Sequence, residues 1–157
     1  MGKIERTVLI VKPEHLHIGE IILGELDEVG KRIVTVRVDD VPEDMARKHY
    51  EPLKDRFYYE WLVDSFKGKS ILLTLYEGEN IVDDISKKVG PTDPALAPKD
   101  TIRGKYSNDS LEKAIKEKRA AATVVHRSES RAEANREMNV WSAYLGIKNI
   151  EEFYNVV

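Results

Sequence analysis

At 157 residues, 41% of them hydrophobic, the chain has the length of one domain (1–157) and can bury a core without a metal or disulfide to hold it. The absence of cysteine excludes disulfide scaffolds, thiolate nucleophiles and cysteine zinc sites. With 25 Lys plus Arg against 28 Asp plus Glu, the net charge of −3 argues against a general polyanion binder but leaves room for a small anionic ligand. No stretch approaches the roughly eighteen apolar residues of a membrane span, and MGKIERTVLIVK is unlike a secretory leader. A soluble, cytoplasmic chain that contacts no membrane is expected.

TVLIVK (7–12) is an apolar run ending at Lys12-Pro13, where the residue before proline is pushed out of helical space. It reads as a buried strand with a lysine at its exit. GEIILGELDEVG (19–30) has helical spacing and stops at Gly30. RIVTVRV (32–38) alternates like a strand buried on one face. Pro42-Glu43-Asp44 opens a helix that carries ARKHY to Tyr50, and LKDRFYYEWLVDSF after Pro52 continues as helix. SILLTLYEG (70–78) predicts a third strand and ENIVDDISKKVG (79–90) a short helix.

The prolines of PTDPALAPKDTIRG (91–104) predict a long irregular loop, of the kind that usually carries function. NDSLEKAIKEKRAAA (108–122) predicts a helix capped by Asp109, TVVH a fourth strand, and 130–146 a last long helix. The order fits an α+β fold of the ferredoxin-like, split βαβ kind: a four-stranded antiparallel sheet covered by helices, with an extra helix near 109–122.

Three segments are set aside. GKS (68–70) lacks the first glycine and the following helix of a phosphate-binding loop and reads as a turn. HLH (15–17) has no partner at a metal-binding spacing, so His15 and His17 read as loop residues and no metal ligands are expected. KAIKEKR (113–119) is interrupted by Glu117 and reads as a solvated helix face, so nucleic acid is not expected as a partner.

His126 stands out, delivered by an apolar strand into the polar turn RSES. A neutral imidazole is a competent nucleophile near pH 7 when one nitrogen exposes its lone pair and an acceptor holds the proton on the other. Glu129, Glu133 and Glu137 follow, and spacing alone does not choose among them.

ERTVLIVKP, HYEPLKDR, GPTDP, TIRG and VVHRSES, followed by a glutamate and a tryptophan, occur in that order over residues 5 to 141. In this they resemble the nucleoside diphosphate kinases. The resemblance implies transfer of the γ-phosphate of a nucleoside triphosphate to a nucleoside diphosphate through a phosphohistidine, with Mg2+ carried by the nucleotide. It implies His126 as the phosphorylated residue, Glu137 as the group holding its ring, and Ser128 as a partner of that glutamate or of the phosphate. It places Lys12 and Arg103 on phosphate oxygens, Thr92 as a hydroxyl donor, Tyr50 beside Lys12, and Tyr58 with Leu62 against the base. A homo-oligomer, hexamer or tetramer, built from dimers is implied as well.

The sequence departs from the family pattern at Ser86, where an arginine on the nucleotide phosphates is usual, and at Thr123, where an asparagine is usual. Arg127 and Glu129 replace a glycine and an aspartate, and the stretch between Arg103 and His126 is about ten residues longer than usual, by comparison with that pattern. An active, divergent enzyme is expected; the competing reading is a nucleotide-binding scaffold of the same fold.

Overall fold

Strands β1 (Glu5–Val11), β2 (Lys31–Val38), β3 (Ile71–Gly78) and β4 (Val125–Arg127) form one sheet in the order β2-β3-β1-β4 in the computed structural model, which describes residues 4–146. Every neighbouring pair is antiparallel. The central strand β1 is buried on both faces, which explains its unbroken apolar run. Val8 and Ile10 turn to one face, packing with α2 (Glu43–His49), α3 (Tyr59–Phe66) and α7 (Arg131–Leu145). Leu9 and Val11 turn to the other, against α1 (Gly19–Leu26), α4 (Ile81–Val89) and α5 (Ile102–Tyr106). Each such side chain contributes roughly 1.5–3 kcal/mol by leaving water, so the sheet is firmest where β1 meets its neighbours. This is the α+β arrangement that the pattern predicts.

Five features differ from the sequence reading, each for a reason its contacts show. Helix α1 stops at Leu26 because Asp27 turns its carboxylate to Arg32 (2.7 and 3.1 Å) and to the Tyr76 hydroxyl (2.8 Å), holding the turn into β2. After Pro52 the chain makes only a short 3-10 turn (Glu51–Leu53), and α3 starts at Tyr59, where Arg47 of α2 grips Glu60 through two bonds of 2.8 and 2.9 Å. The HLH segment lies in a 3-10 turn (Pro13–Ile18), with His15 Nε2 hydrogen-bonded to the Tyr106 carbonyl at 3.0 Å.

The fourth difference bears on the site. The proline-rich stretch is not irregular throughout: it holds a 3-10 turn (Pro94–Leu96) and then α5, so Arg103 sits on a helix. Thr101 caps that helix, its hydroxyl accepting from Gly104 N (3.1 Å) and donating to the Pro98 carbonyl (2.6 Å). A Cβ on Gly104 would lie 1.9 Å from the Pro98 oxygen, so only glycine fits. Beyond it the predicted helix over 109–122 shrinks to α6 (Leu111–Lys116), capped by Ser110 rather than Asp109. Asp109 instead receives Arg119 (2.6 and 3.0 Å) and the amide of Ala122 (2.7 Å). Among the described residues no helix is long and apolar enough to cross a membrane.

Candidate active site

The site begins where β4 pairs with β1. His126 lies opposite Ile10 and therefore projects to the face covered by α2 and α7. The chain enters β4 through a strained turn. Val125 N donates to the Thr123 carbonyl at 2.8 Å across Val124, whose φ is 70°. A three-residue turn of that hand is rare for any residue and more so for a β-branched one. It is held by burial, since Val124 is wholly enclosed in the second apolar cluster, and by its carbonyl, which accepts Lys12 N at 3.0 Å.

Helix α7 supplies the partner for the ring. Ser130 caps it by accepting Glu133 N (3.1 Å), and Gly146 ends it in the left-handed conformation at φ 74°. That phase turns Ala134, Glu137 and Trp141 inward. Glu137 Oε1 accepts from His126 Nε2 at 2.9 Å and from the Ser128 hydroxyl at 2.8 Å. Burial pushes the Glu137 carboxyl up, but the adjacent His126 and Ser128 outweigh it and hold its pKa at about 2. The other two candidates point elsewhere: Glu133 pairs with Arg136 at 3.1 Å, and Glu129 is exposed. A carboxylate on Nε2 keeps that nitrogen's proton and leaves Nδ1 with a lone pair. The His126 side chain is 19% exposed, against 3% for Glu137.

Two buried cations lie beside the strand. Lys12, 4% exposed, directs its ammonium to the Ala121 carbonyl (2.9 Å), the Thr123 hydroxyl (3.1 Å) and Glu14 (3.5 Å). Burial lowers its pKa, opposed by Glu14 and aided by Arg103. Arg103, 6% exposed, is held by carbonyls: Thr123 on Nε, Gly90 and Pro91 on Nη1, and Val125 on Nη2, all at 3.0–3.2 Å. Burial and then the nearby Arg127 lower its pKa to about 10, so it stays charged at neutral pH. Thr123 thus ties both cations together, its hydroxyl on Lys12 and its carbonyl on Arg103. The pinned segment 119–123 brings these oxygens to the site.

The other predicted residues are placed as follows. Tyr50, at the end of α2, is buried, which pushes its hydroxyl pKa up, and its ring lies 6.3 Å edge-on from that of His126. Tyr58 is half-buried just before α3 and meets Phe57 edge-on at 5.2 Å; Leu62 packs on the first apolar cluster. Ser86 is half-buried on α4, and Thr92 is exposed in the bend after Pro91. Among the described residues neither a hydrogen bond nor a ring contact joins Tyr58, Leu62, Ser86 or Thr92 to His126.

The sequence reading passed over His49. Its ring lies 4.4 Å from that of His126, and it accepts Trp141 Nε1–H on Nδ1 at 3.1 Å. One ligating atom from each of His49, His126 and Glu137 lies within 4.8 Å of the others. The available signal was the His-Tyr pair in HYEPLKDR together with the tryptophan four residues after Glu137.

An imidazole steadied from behind by a carboxylate, with two buried cations held around the entry to its strand, is an arrangement suited to phosphoryl transfer through histidine. The chain belongs to the nucleoside diphosphate kinase family, whose model, "Nucleoside diphosphate kinase", matches residues 5–144. It is 33% identical over 144 residues to the nucleoside diphosphate kinase of Pyrococcus furiosus, covering 90% of this chain and 84% of the other. To that of Synechocystis it is 31% identical over 140 residues, 87% of each. Among solved structures, the Borrelia burgdorferi enzyme with bound vanadate and ADP superposes with a TM-score of 0.84 at 26% identity, covering 96% of this chain and 98% of that one. Family members transfer the terminal phosphate of a nucleoside triphosphate to a nucleoside diphosphate and use a divalent cation with the nucleotide.

Proposed function

We propose that His126 Nδ1 is the atom that carries the phosphoryl group between two nucleotides. The observation behind this reading is the 2.9 Å bond between His126 Nε2 and Glu137, reinforced by Ser128. In the first half-reaction the Nδ1 lone pair attacks the γ-phosphorus of a magnesium-bound nucleoside triphosphate. The bond from phosphorus to the β–γ bridging oxygen breaks, and the diphosphate leaves. In the second, a terminal oxygen of another diphosphate attacks the phosphohistidine and the N–P bond breaks, restoring the free ring. Glu137 balances the positive charge that the imidazole gains as N–P forms.

Lys12 and Arg103 supply fixed positive charge for the phosphate oxygens, Lys12 by turning from the Ala121 carbonyl, Arg103 as a buried charge whose fork stays largely on carbonyls. The hydroxyls of Thr92 and Thr123 donate to phosphate or ribose. Tyr50 closes the wall beside the ring, and Tyr58 with Leu62 offers the base an apolar, aromatic surface that tolerates any nucleobase. Ser86 contributes a hydroxyl in place of a cation on this same wall. The setting is one domain spanning 1–157, a cytoplasmic homo-oligomer whose subunit number size-exclusion chromatography with light scattering would give.

The test is phosphate transfer from labelled ATP to protein. Wild type should acquire an acid-labile, alkali-stable phosphate and exchange label between ADP and GTP, and His126→Ala should do neither. Unlabelled wild-type protein would remove the proposal.

A further inference from the structure

Resting on that reading of His126, we infer that His49 is a positioning residue for it, an imidazole that α7 braces edge-on against the nucleophile's ring. His49 ends α2 and is 2% exposed. Four rings surround it: Tyr50 at 4.7 Å, Phe66 at 5.4 Å, Trp141 at 5.8 Å, and, closest of all, His126 at 4.4 Å with the planes at 75°.

Chemistry fixes its protonation. The Trp141 indole N–H is a donor only, so the His49 Nδ1 it reaches bears a lone pair and the proton sits on Nε2. A second proton would have to be held in full burial beside His126, and burial followed by the His126 charge lowers the His49 pKa well below that of an ordinary histidine. His49 is therefore neutral across the working range. It neither repels the ring it supports nor takes the carboxylate from it.

The brace comes from one helix. Arg136 donates to the carbonyls of Lys48 (2.9 Å) and His49 (2.7 Å), fixing the end of α2. The next residue, Glu137, holds His126 Nε2, and one turn later Trp141 holds the His49 ring. Helix α7 thus grips His126 twice, by a hydrogen bond at its far nitrogen and through a ring against its side. A hydrogen bond at Nε2, an atom close to the Cβ–Cγ axis, restrains rotation about χ2 only loosely; an edge-on ring at 4.4 Å restricts it further. Among the described residues the buried His49 Nε2 has no hydrogen-bond partner, a cost that an apolar residue of similar shape would avoid. A ring with an acceptor facing Trp141 is what that place requires.

The experiment compares wild type, His49→Ala and His49→Phe in single-turnover phosphorylation by labelled ATP, with ATP affinity measured by calorimetry and the His126 tautomer by nitrogen NMR of the nucleotide-free protein. His49→Ala should slow phosphohistidine formation tenfold or more at saturating ATP and leave affinity within twofold. Its His126 should pass from the single Nε2–H form to a mixture. His49→Phe should recover the rate to within threefold while melting lower, because the Trp141 N–H loses its acceptor. A wild-type rate and a single tautomer in His49→Ala would overturn the inference. Should that variant not fold, Trp141→Phe with the same NMR readout takes its place, an unchanged tautomer again overturning it. Absence of phosphohistidine in wild type would instead strike at the role of His126 itself.

Discussion

Replacing Glu137 by glutamine removes one charge and almost no volume, and so isolates what the carboxylate does. Its Oε1 receives two donors, His126 Nε2 at 2.9 Å and Ser128 Oγ at 2.8 Å, both of which an amide oxygen accepts equally well in place. On the proposed role of His126, what disappears is the attraction between a buried anion and the positive charge that builds on the imidazole during attack. For full charges about 4 Å apart at an effective dielectric near 20 that attraction is about 4 kcal/mol. If about half the charge has developed in the transition state, about 2 kcal/mol is lost, or about 30-fold in rate. The same 10–100-fold range is typical where a carboxylate orients a metal-bound imidazole. Quench-flow measurement of alkali-stable label from γ-labelled ATP reads it directly, with ATP affinity unchanged. A folded Glu137→Gln protein phosphorylated within twofold of the wild-type rate would refute the reasoning.

Three further outcomes are expected. The Glu137 carboxyl binds its proton more weakly in the folded chain, its pKa falling from 4.5 to about 2, so the stability it contributes is full above about pH 4.5 and is lost as pH falls toward 2; urea midpoints measured across that window should drop in wild type and stay flatter in Glu137→Gln, the difference being on the order of 3 kcal/mol. Gly104→Ala forces a Cβ against the Pro98 carbonyl at 1.9 Å and should cost on the order of 2 kcal/mol or more, read by chemical denaturation; a neutral result would mean that α5 is free to shift. At Val124, with φ at 70°, glycine should be more stable than alanine by about 1 kcal/mol, reversing their usual order, since the strain that only glycine relieves, about 2 kcal/mol, exceeds the about 0.8 kcal/mol that alanine's retained buried methyl contributes; an alanine variant as stable as the glycine one would show the turn to be unstrained.

The sheet was legible because its strands carry their burial in their residues: β1 reads as an unbroken apolar run, and it is covered on both faces. The short helix α5 was hidden by the prolines before it, although Thr101 with Gly104 three residues later was the signal of a cap. Asp109 looked like a cap and became an anchor for Arg119, a difference made by a residue ten positions away that local pattern does not weigh. Spacing left three glutamates open beside His126. The choice among them depends on the phase of α7, set by Ser130 and by the inward turn of Trp141. His49 escaped notice because its neighbour in space is a strand far along the chain, and helical periodicity records only that it faces inward.

The stretch between α5 and β4 closes on itself at its base, where the Ser107 hydroxyl meets the Ala122 carbonyl at 2.6 Å and Asp109 takes the Ala122 amide at 2.7 Å, while Lys116, Glu117 and Lys118 at its tip stand exposed. A loop whose two stems are fastened to each other passes little of what happens at its crown down to β4. Its tip is consequently a natural port for grafting a fluorophore, an affinity peptide or extra residues.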